Sequence, residues 1–185
     1  MGLPIHMVAT PASLDDATLI ERVREGDDAA FSQLYKRHAR HVAGVVYRLL
    51  GDDAHLEDIV QETFVIGLRR LHNLREPGAL RYWLTTIAVR RVKRHLASRY
   101  KSRELQGELR NTMPRVSDPS HRDEVHALYR ALEKLPEKLR LPWALHHIEG
   151  ETLPVVAELC ETSLTSVKRH IAAASQRLRR NGHVR

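Results

Sequence analysis

The sequence predicts an all-α protein of two small helical domains joined by a flexible linker. First, apolar residues recur at three- and four-residue steps through most of the chain, which is the period of an amphipathic helix. Second, this periodicity stops over residues 104–120, where Gly, Pro, Asn and Ser gather. Third, 185 residues suffice for two modest hydrophobic cores. We therefore expect a disordered tail over 1–13, domains over 14–103 and 121–185, and the linker between them.

Basic residues are concentrated in two blocks. The chain has 30 Lys plus Arg against 23 Asp plus Glu, a formal net charge of +7. Between residues 69 and 103, eleven basic residues face a single acid, Glu76, and after Glu161 there are six basic residues and no acid. Charges of one sign repel each other unless an anion neutralises them. Nucleic acid is the polyanion that such blocks favour, and two blocks indicate two separate contacts.

The sequence also predicts a cytoplasmic location. Cys160 is the only cysteine, so no intramolecular disulfide can form and a reducing compartment is expected. No apolar run approaches membrane-spanning length, so we expect no membrane insertion. The first thirteen residues lack a basic-then-apolar secretory pattern.

Glycine and aspartate residues mark the ends of the first two predicted helices. The first helix is expected to begin near residues 13–15 and to end at Gly26, which suits the left-handed C-terminal position. Asp27 or Asp28 can cap the second helix, which runs to Gly51.

The third predicted helix, within residues 51–71, has two contrasting faces, and Asp52 or Asp53 can cap its start. An apolar stripe for core packing is formed by Leu56, Ile59, Val60, Phe64, Gly67, Leu68 and Leu71. The opposite side is acidic and carries Glu57, Asp58, Gln61 and Glu62. From this pattern alone, the acidic face is either solvated or a docking surface for a basic partner.

A fourth helix is predicted from about Ala79 to the Arg99 region, after a turn rich in helix breakers. Its inward residues are Leu80, Leu84, Ile87, Ala88 and Leu96, and its outward residues are Tyr82, Thr86, Arg90, Lys93 and Arg94. Trp83 lies at the border. Aromatic rings interleaved with cations suit single-stranded nucleic acid, because bases stack on rings while cations bind phosphates. The alternative, that Trp83 and Tyr82 are core aromatics, stays open at this point.

The second domain is predicted to hold four helices that end in a helix-turn-helix. The first two cover about 121–135 and 137–149, a short helix runs from a Thr152 cap through Cys160, and the last covers about 163–180. The inner stripes are Val125, Leu128, Leu132 and Leu135 in the first, and Leu164, Val167, Ile171, Ala174 and Leu178 in the last. The last helix would then present hydrogen-bond donors to DNA, at Thr165, Ser166, Lys168, Arg169 and His170.

Together the two halves resemble the extracytoplasmic-function (ECF) group of the sigma-70 family, the minimal alternative initiation factors of bacterial RNA polymerase. The first half carries GDDAAFSQLYKRH, DDAHLEDIVQETF and LRYWLTTIAVRRVKRHL, which look like the helices of sigma region 2. The second half, ALEKLPEKLRLPWALHHIEGETLPVVAELCETSLTSVKRHIAAASQRLRR, looks like region 4. The resemblance implies an alternative sigma factor that directs promoter-specific initiation in a stress or envelope-signal response.

The resemblance also implies partners and binding residues. Core RNA polymerase, through its largest-subunit clamp and its flap, promoter DNA and an anti-sigma factor are the implied partners, and the anti-sigma factor could hold the chain at the membrane. Polymerase binding is implied for Glu57, Asp58, Ile59, Val60, Gln61, Glu62 and Phe64. Reading and melting of the −10 element is implied for Asn73, Leu74, Arg75, Arg81, Trp83, Thr86, Arg90, Lys93 and Arg94. Reading of the −35 element is implied for Ser163, Thr165, Ser166, Lys168, Arg169 and His170.

Two other classes of protein compete with this interpretation. A metalloenzyme could use His55 with the neighbouring acids, but those side chains point away from the apolar stripe and lack matching ligand pairs, so we expect neither catalytic residues, nor a metal, nor a cofactor. A conventional helix-turn-helix regulator with an N-terminal dimerisation or sensor domain is the second alternative. The chain also departs from the family: Arg90 or Arg91 stands where an Asn is frequent, and Ala172 to Ala174 replace further arginines.

Overall fold

The computed structural model describes residues 14–105 and 121–180, and every regular element within these ranges is helical. The α-helices are α1 (Asp16–Arg24), α2 (Asp28–Leu50), α3 (Leu56–Arg70), α4 (Leu80–Leu105), α5 (His121–Glu133), α6 (Glu137–His147), α7 (Leu153–Leu159) and α8 (Leu164–Arg180). Short 3-10 turns at Leu71–Asn73 and Pro77–Ala79 join α3 to α4. The all-α prediction is confirmed, whereas the predicted tail and residues 106–120 of the predicted linker lie outside the described residues. None of the helices in the described ranges has both the length and the apolar character that a membrane span requires.

Aspartate residues cap the starts of α1 and α2, and the cap of α2 at Asp27 confirms the prediction. Asp15 Oδ1 accepts a hydrogen bond of 2.8 Å from the backbone N–H of Thr18, and Asp27 Oδ1 accepts one of 3.0 Å from Ala30. These hydrogen bonds hold the pKa of both carboxyl groups below the usual value. At its other end α2 stops at Gly51, whose φ of 76° is in the left-handed region that favours glycine.

The prediction that Asp52 or Asp53 caps α3 is wrong. The helix begins at Leu56, after His55, and no side chain caps its first turn. Asp52 instead accepts a hydrogen bond of 3.2 Å from the N–H of Ala54 and pairs with Arg99 of α4 at 3.0 Å. The turn between α2 and α3 is long enough to place Asp52 beside α4, where a cation is a stronger partner than a backbone N–H.

Helix α4 is covered on two sides. The five residues predicted to point inward are all buried, as are Thr85, Val89 and Val92. The additional burial arises because α2 and α3 pack on one side of α4, while α6 and α7 pack on another. The helix also continues to Leu105, so the first two residues of the predicted linker are helical.

In the second domain, α6 packs on α8, and α7 with α8 forms the predicted helix-turn-helix. Trp143 of α6 donates a hydrogen bond of 3.0 Å from Nε1 to Ser175 Oγ of α8. Two predicted core residues are exposed instead, Val125 at 46% and Leu164 at 40%. Both lie in the first turns of their helices, ahead of the positions at which Leu128 and Val167 first reach the core. The inner stripes therefore begin one turn later than predicted.

The two domains share one continuous apolar core. Leu141, Ala144 and Leu145 of α6, with Val156 and Leu159 of α7, are buried in the same cluster as the core of α1 to α4. Burial of apolar side chains is the main source of stability in folding and association. The domain contact is therefore apolar at its centre.

A buried arginine joins the domains at the end of α2. Arg140 of α6 is 3% exposed, and its Nη2 donates hydrogen bonds to the carbonyls of Leu50 (2.6 Å) and Leu49 (3.2 Å). The last carbonyls of a helix have no partner within the helix and carry its negative partial charge, so a cation is favourable there. Burial lowers the pKa of Arg140 to about 10, which leaves the guanidinium protonated at neutral pH.

We predict that replacement of Gly51 by alanine destabilises the protein more than replacement of Gly26. Both glycines have positive φ (76° and 92°), where an alanine costs about 1–2 kcal/mol. At Gly26 a Cβ would meet no atom within 4 Å, whereas at Gly51 it would lie 2.0 Å from Cδ1 of Tyr129 in α5. Thermal unfolding of the two variants separates backbone strain from this overlap. Equal losses of stability would show that Tyr129 does not pack against Gly51.

Candidate nucleic-acid and partner interfaces

Four adjacent polar side chains form the exposed face of α3: Glu57, Asp58, Gln61 and Glu62. Glu62 pairs with Arg91 of α4, whose Nε donates a hydrogen bond of 2.7 Å. Among the described residues, no side-chain ion pair engages Glu57 or Asp58. The free negative charge of this surface, which we call the acidic face, is therefore concentrated at its N-terminal end.

The apolar residues predicted to bind a partner from α3 lie beneath the acidic face. Ile59, Val60 and Phe64 are 4%, 6% and 4% exposed and belong to the core. The ring of Phe64 stacks on that of Tyr35 in α2, with 4.6 Å between the centroids. These three residues hold α3 against α2 and α4, so they position the acidic face and present little surface of their own.

The turn between α3 and α4 exposes two polar residues, one on each side of a buried leucine. Asn73 and Arg75 are exposed, whereas Leu74 between them is 5% exposed. The carbonyl of Leu74 also accepts a hydrogen bond of 2.6 Å from Nη2 of Arg24 in α1. Leu74 therefore fixes the turn, and its two neighbours are available to a partner.

The aromatic residues at the start of α4 differ in their surroundings. Tyr82 is 39% exposed, while Trp83 is half-buried against Gly67 of α3. A Cβ at Gly67 would lie 3.1 Å from Leu84 and 3.7 Å from Trp83, so the glycine allows α3 and α4 to approach closely. The two sequence interpretations of this pair thus apply to different residues: Trp83 packs partly against the core, and Tyr82 offers a ring to solvent.

The cations of α4 fall into paired and unpaired groups. Nη2 of Arg81 lies 3.0 Å from Nδ1 of His41. The neighbouring polar residue Thr86 is also engaged, since its hydroxyl donates a hydrogen bond of 3.1 Å to the carbonyl of Tyr82. Arg94 is exposed, and no ion pair engages it within the described residues. Arg90 and Lys93, in contrast, contact the second domain. The basic block is therefore only partly open to a ligand.

The N-terminal half of α8 exposes the residues predicted to contact the −35 element. Thr165, Lys168 and Arg169 are exposed. Ser163 Oγ caps the helix by accepting a hydrogen bond of 3.2 Å from the N–H of Ser166, and it donates one of 2.9 Å to Ser166 Oγ. Two of the predicted DNA contacts thus also hold the start of the helix.

His170 completes this face on the side of α6. Burial, together with the nearby Arg169 and Lys138, lowers the pKa of His170 below its ordinary value. The imidazole is therefore neutral at neutral pH. It can offer one donor and one acceptor to a base edge or a phosphate.

The sequence predicts a turn between α7 and α8, but not the left-handed backbone of Glu161 or its ion pair with Arg90. Glu161 has a φ of 54°, and its carboxylate lies 3.0 Å from Nε of Arg90. A glycine at this position would have signalled a left-handed turn, whereas a glutamate gives no such signal. Burial of Arg140 was missed as well, because a charged residue in a helix is usually exposed.

In comparisons with known proteins, each half of the chain matches a different region of one protein family. Residues 34–102 match the family model of Sigma-70 region 2, and residues 126–178 match that of Sigma-70, region 4. The chain is 30% identical over 178 residues to the ECF RNA polymerase sigma-E factors of Salmonella typhimurium and Escherichia coli, covering 88% of this chain and 92% of each relative. It is 27% identical over 176 residues to the RNA polymerase sigma-H factor of Pseudomonas aeruginosa, covering 87% of this chain and 90% of the relative.

Solved structures show the same fold. CnrH in complex with the cytosolic domain of CnrY matches with a TM-score of 0.57 at 24% identity, over 88% of this chain and 94% of that one. The sigma factor RpoE of Bartonella quintana, in complex with the anti-sigma factor NepR, matches with a TM-score of 0.54 at 21% identity, over 81% and 94%. Two region matches in this order, with full-length relatives at 30% identity, decide the family. The chain is an alternative sigma factor of the ECF group of the sigma-70 family.

Proposed function

We propose that this sigma factor divides its work between separate surfaces of its two domains. The acidic face of α3 binds the clamp of the largest polymerase subunit. The turn before α4 and the cations of α4 melt and read the −10 element. The first turns of α8 read the −35 element, and the second domain also contacts the flap. The observation that carries this proposal is the separation of one exposed acidic surface from two exposed basic surfaces on a single chain.

Charge complementarity supports the polymerase contact. Glu57 and Asp58 are exposed acids at the start of α3, in a chain with a net charge of +7. A surface of opposite sign to the rest of the protein steers a basic partner and repels DNA. The acidic face therefore fits a protein partner better than it fits the promoter.

The surroundings of the turn and of α4 support the −10 contact. Asn73 offers an amide that can bind a base edge, and Arg75 and Arg94 offer exposed guanidinium groups to phosphates. Tyr82 supplies an exposed ring for stacking. These groups match what an unpaired strand requires.

The proposed setting is cytoplasmic, with an anti-sigma factor as regulator. The solved structures of CnrH with CnrY and of RpoE with NepR support this partner, since both matching chains were captured in complexes and the second partner is an anti-sigma factor. Attachment to the membrane would come from such a partner.

The −10 assignment predicts a specific defect in promoter melting. A promoter is first selected by the reconstituted holoenzyme from a randomised duplex pool. The Arg75→Ala/Arg94→Ala variant is then expected to lower permanganate reactivity of the −10 thymines by about ten-fold, because phosphate contacts to the unpaired strand are lost. The matched control, Lys36→Ala/Arg40→Ala, removes two exposed cations from α2 and should melt the promoter normally. Normal melting by the first variant would refute the assignment.

A further inference from the structure

An arginine of α1 binds the backbone of the turn that joins α3 to α4. Nη2 of Arg24 donates hydrogen bonds to the carbonyls of Leu74 (2.6 Å) and Leu71 (3.2 Å), which lie 50 and 47 positions away in the chain. Among the described residues, no other side chain donates a hydrogen bond to the backbone of residues 71–79. The position of this turn therefore depends on α1, a helix to which no DNA contact is assigned.

The two bound carbonyls lie on either side of Asn73. A peptide unit is planar, so a hydrogen bond to its oxygen also restricts the direction of the N–H on the next residue. The bond to Leu71 holds the peptide plane that leads into His72, and the bond to Leu74 holds the plane that leads into Arg75. One guanidinium group therefore orients the backbone around both exposed residues of the turn.

The backbone between the two 3-10 turns is extended. Leu74 has φ −75° and ψ 108°, and Glu76 has φ −108° and ψ 108°. The backbone hydrogen bonds described for this segment are local, such as the bond of 3.1 Å from the N–H of Leu74 to the carbonyl of Leu71. A segment with few backbone hydrogen bonds opens at a low cost in free energy. A contact from another helix therefore has a large influence on its order.

Arg24 is itself held in place by α1. Its Nη1 donates a hydrogen bond of 2.7 Å to Oε1 of Glu21, one turn earlier in the helix, and its side chain is only 29% exposed. The planar guanidinium group can bind the carboxylate with one nitrogen and the carbonyls with another. The helix is anchored in the same core cluster as Leu71 and Leu74. Its residues in that cluster are Leu19, Ile20 and Val23.

We propose that Arg24 is a positioning residue for the −10 element, because it braces the turn between α3 and α4 so that Asn73 and Arg75 meet the unpaired strand in one orientation. The inference rests on the proposed function, since it takes the −10 assignment of this turn as given. A turn that is ordered before binding loses less conformational entropy when the strand binds. Groups that are held in place also keep the geometry that discrimination between bases requires.

Hydrogen exchange of the free, full-length protein tests the brace without DNA. In the Arg24→Gln variant, backbone amides of residues 71–79 are expected to exchange about ten-fold faster, while those of α2 and α4 keep their protection and show that the protein is folded. The matched control is Arg22→Gln, since Arg22 lies in the same turn of α1 but pairs with Asp27 at 2.6 Å. Exchange in the control should be unchanged. Unchanged exchange in Arg24→Gln as well would overturn the proposal.

Base selectivity of the reconstituted holoenzyme tests the consequence for the promoter. The probes are a fluorescent single strand that carries the −10 sequence selected from the randomised pool and strands in which one of its bases is replaced. The ratio of their affinities should fall by about ten-fold in Arg24→Gln, because hydrogen bonds from a charged donor are lost. Affinity for core polymerase should stay within about two-fold of normal. A general loss of stability would weaken all strands alike and leave the ratio unchanged, which would overturn the proposal.

Arg24→Lys separates the brace from the charge of the arginine. Lysine keeps the positive charge, but its side chain is one atom shorter and its single nitrogen replaces the two that bind Glu21 and the carbonyls. Selectivity is expected to follow exchange: if the turn exchanges faster in this variant, the affinity ratio should fall as well. Normal selectivity with a fast-exchanging turn would show that charge, and not the brace, supports binding, and would overturn the proposal.

Asn73→Ala distinguishes failure of the brace from failure of the −10 assignment. This variant removes a side chain assigned to base reading and leaves both hydrogen bonds of Arg24 in place. Faster exchange together with lower selectivity in Arg24→Gln supports the brace. If Asn73→Ala lowers selectivity and Arg24→Gln does not, the brace is overturned and the proposed function stands. If neither variant lowers selectivity, the −10 assignment of the turn fails, and the brace fails with it.

Discussion

Reversing the charge of the acidic face, with Glu57→Lys/Asp58→Lys, is expected to weaken binding to core RNA polymerase by about ten-fold or more. Both side chains are exposed, and neither takes part in an ion pair within the described structure. The change therefore acts on a partner and not on the core beneath. The new lysines would face a basic docking surface. A tenfold loss of affinity corresponds to about 1.4 kcal/mol, and like charges placed together across an interface cost more than that. Anisotropy of labelled protein titrated with core polymerase measures the loss.

Asp53→Lys, which makes half the charge change at a position outside the acidic face, is the control for this variant. Asp53 is an exposed acid four residues before Glu57, in the turn that precedes α3. The Asp53→Lys variant should bind core polymerase with nearly normal affinity. Circular dichroism should show unchanged helix content in both proteins, although lysines at a helix N-terminus cost about 0.3–1 kcal/mol each. If the control lost half as much binding free energy as the double variant, in proportion to its charge change, net charge and not the acidic face would determine binding. Glu62 is left intact because its partner Arg91 would lose an ion pair.

The second large effect, on promoter binding, is expected from substitutions in α8. Lys168→Ala/Arg169→Ala should reduce holoenzyme binding to a promoter with a −35 element by at least about ten-fold, since each lost contact costs about 1–3 kcal/mol. Each phosphate contact also contributes about 0.9 to the slope of log affinity against log salt. The slope should therefore become shallower by up to about 1.8, which titration at several salt concentrations measures.

The same helix supplies the control for this prediction. Arg177 and Arg179 are exposed near the C-terminal end of α8, two turns beyond the predicted contacts. Arg177→Ala/Arg179→Ala removes the same charge from the same helix. The affinity of the holoenzyme for the promoter should change little in this control variant. A larger defect here than in the first pair would mean that the helix enters the groove by its other end.

The sequence predicts helices well where one face alone is buried. The caps Asp15 and Asp27 and the stop at Gly51 follow from local rules, because each acts on its own helix. The inner residues of α4 were predicted correctly, but burial of Val89 and Val92 on its other side was not. A periodic pattern identifies one packing face, and it does not reveal that a second domain covers another.

Long-range polar contacts escaped prediction for a related reason. Arg140 binds carbonyls that are 90 and 91 positions away in the chain, and backbone carbonyls leave no mark in a sequence. Glu161 lies among polar residues of a turn and gives no sign that it reaches Arg90. The exposure of the charged residues proposed to bind partners was easier to predict, because clusters of acidic or of basic residues on predicted helix faces are visible without coordinates. Ile59, Val60 and Phe64 show the limit of that approach, since proximity to a surface along the chain does not make a residue part of it.

The division of labour between the domains is tested most directly by measuring two affinities for the same two variants. Binding to core polymerase and binding of the holoenzyme to a selected promoter are each measured for Glu57→Lys/Asp58→Lys and for Lys168→Ala/Arg169→Ala. We predict a crossed result: the first pair weakens core binding, while the second keeps core affinity within about two-fold and weakens promoter binding. If Lys168→Ala/Arg169→Ala weakened core binding as strongly as the acidic-face variant, or if the acidic-face variant bound core normally, the division would be contradicted.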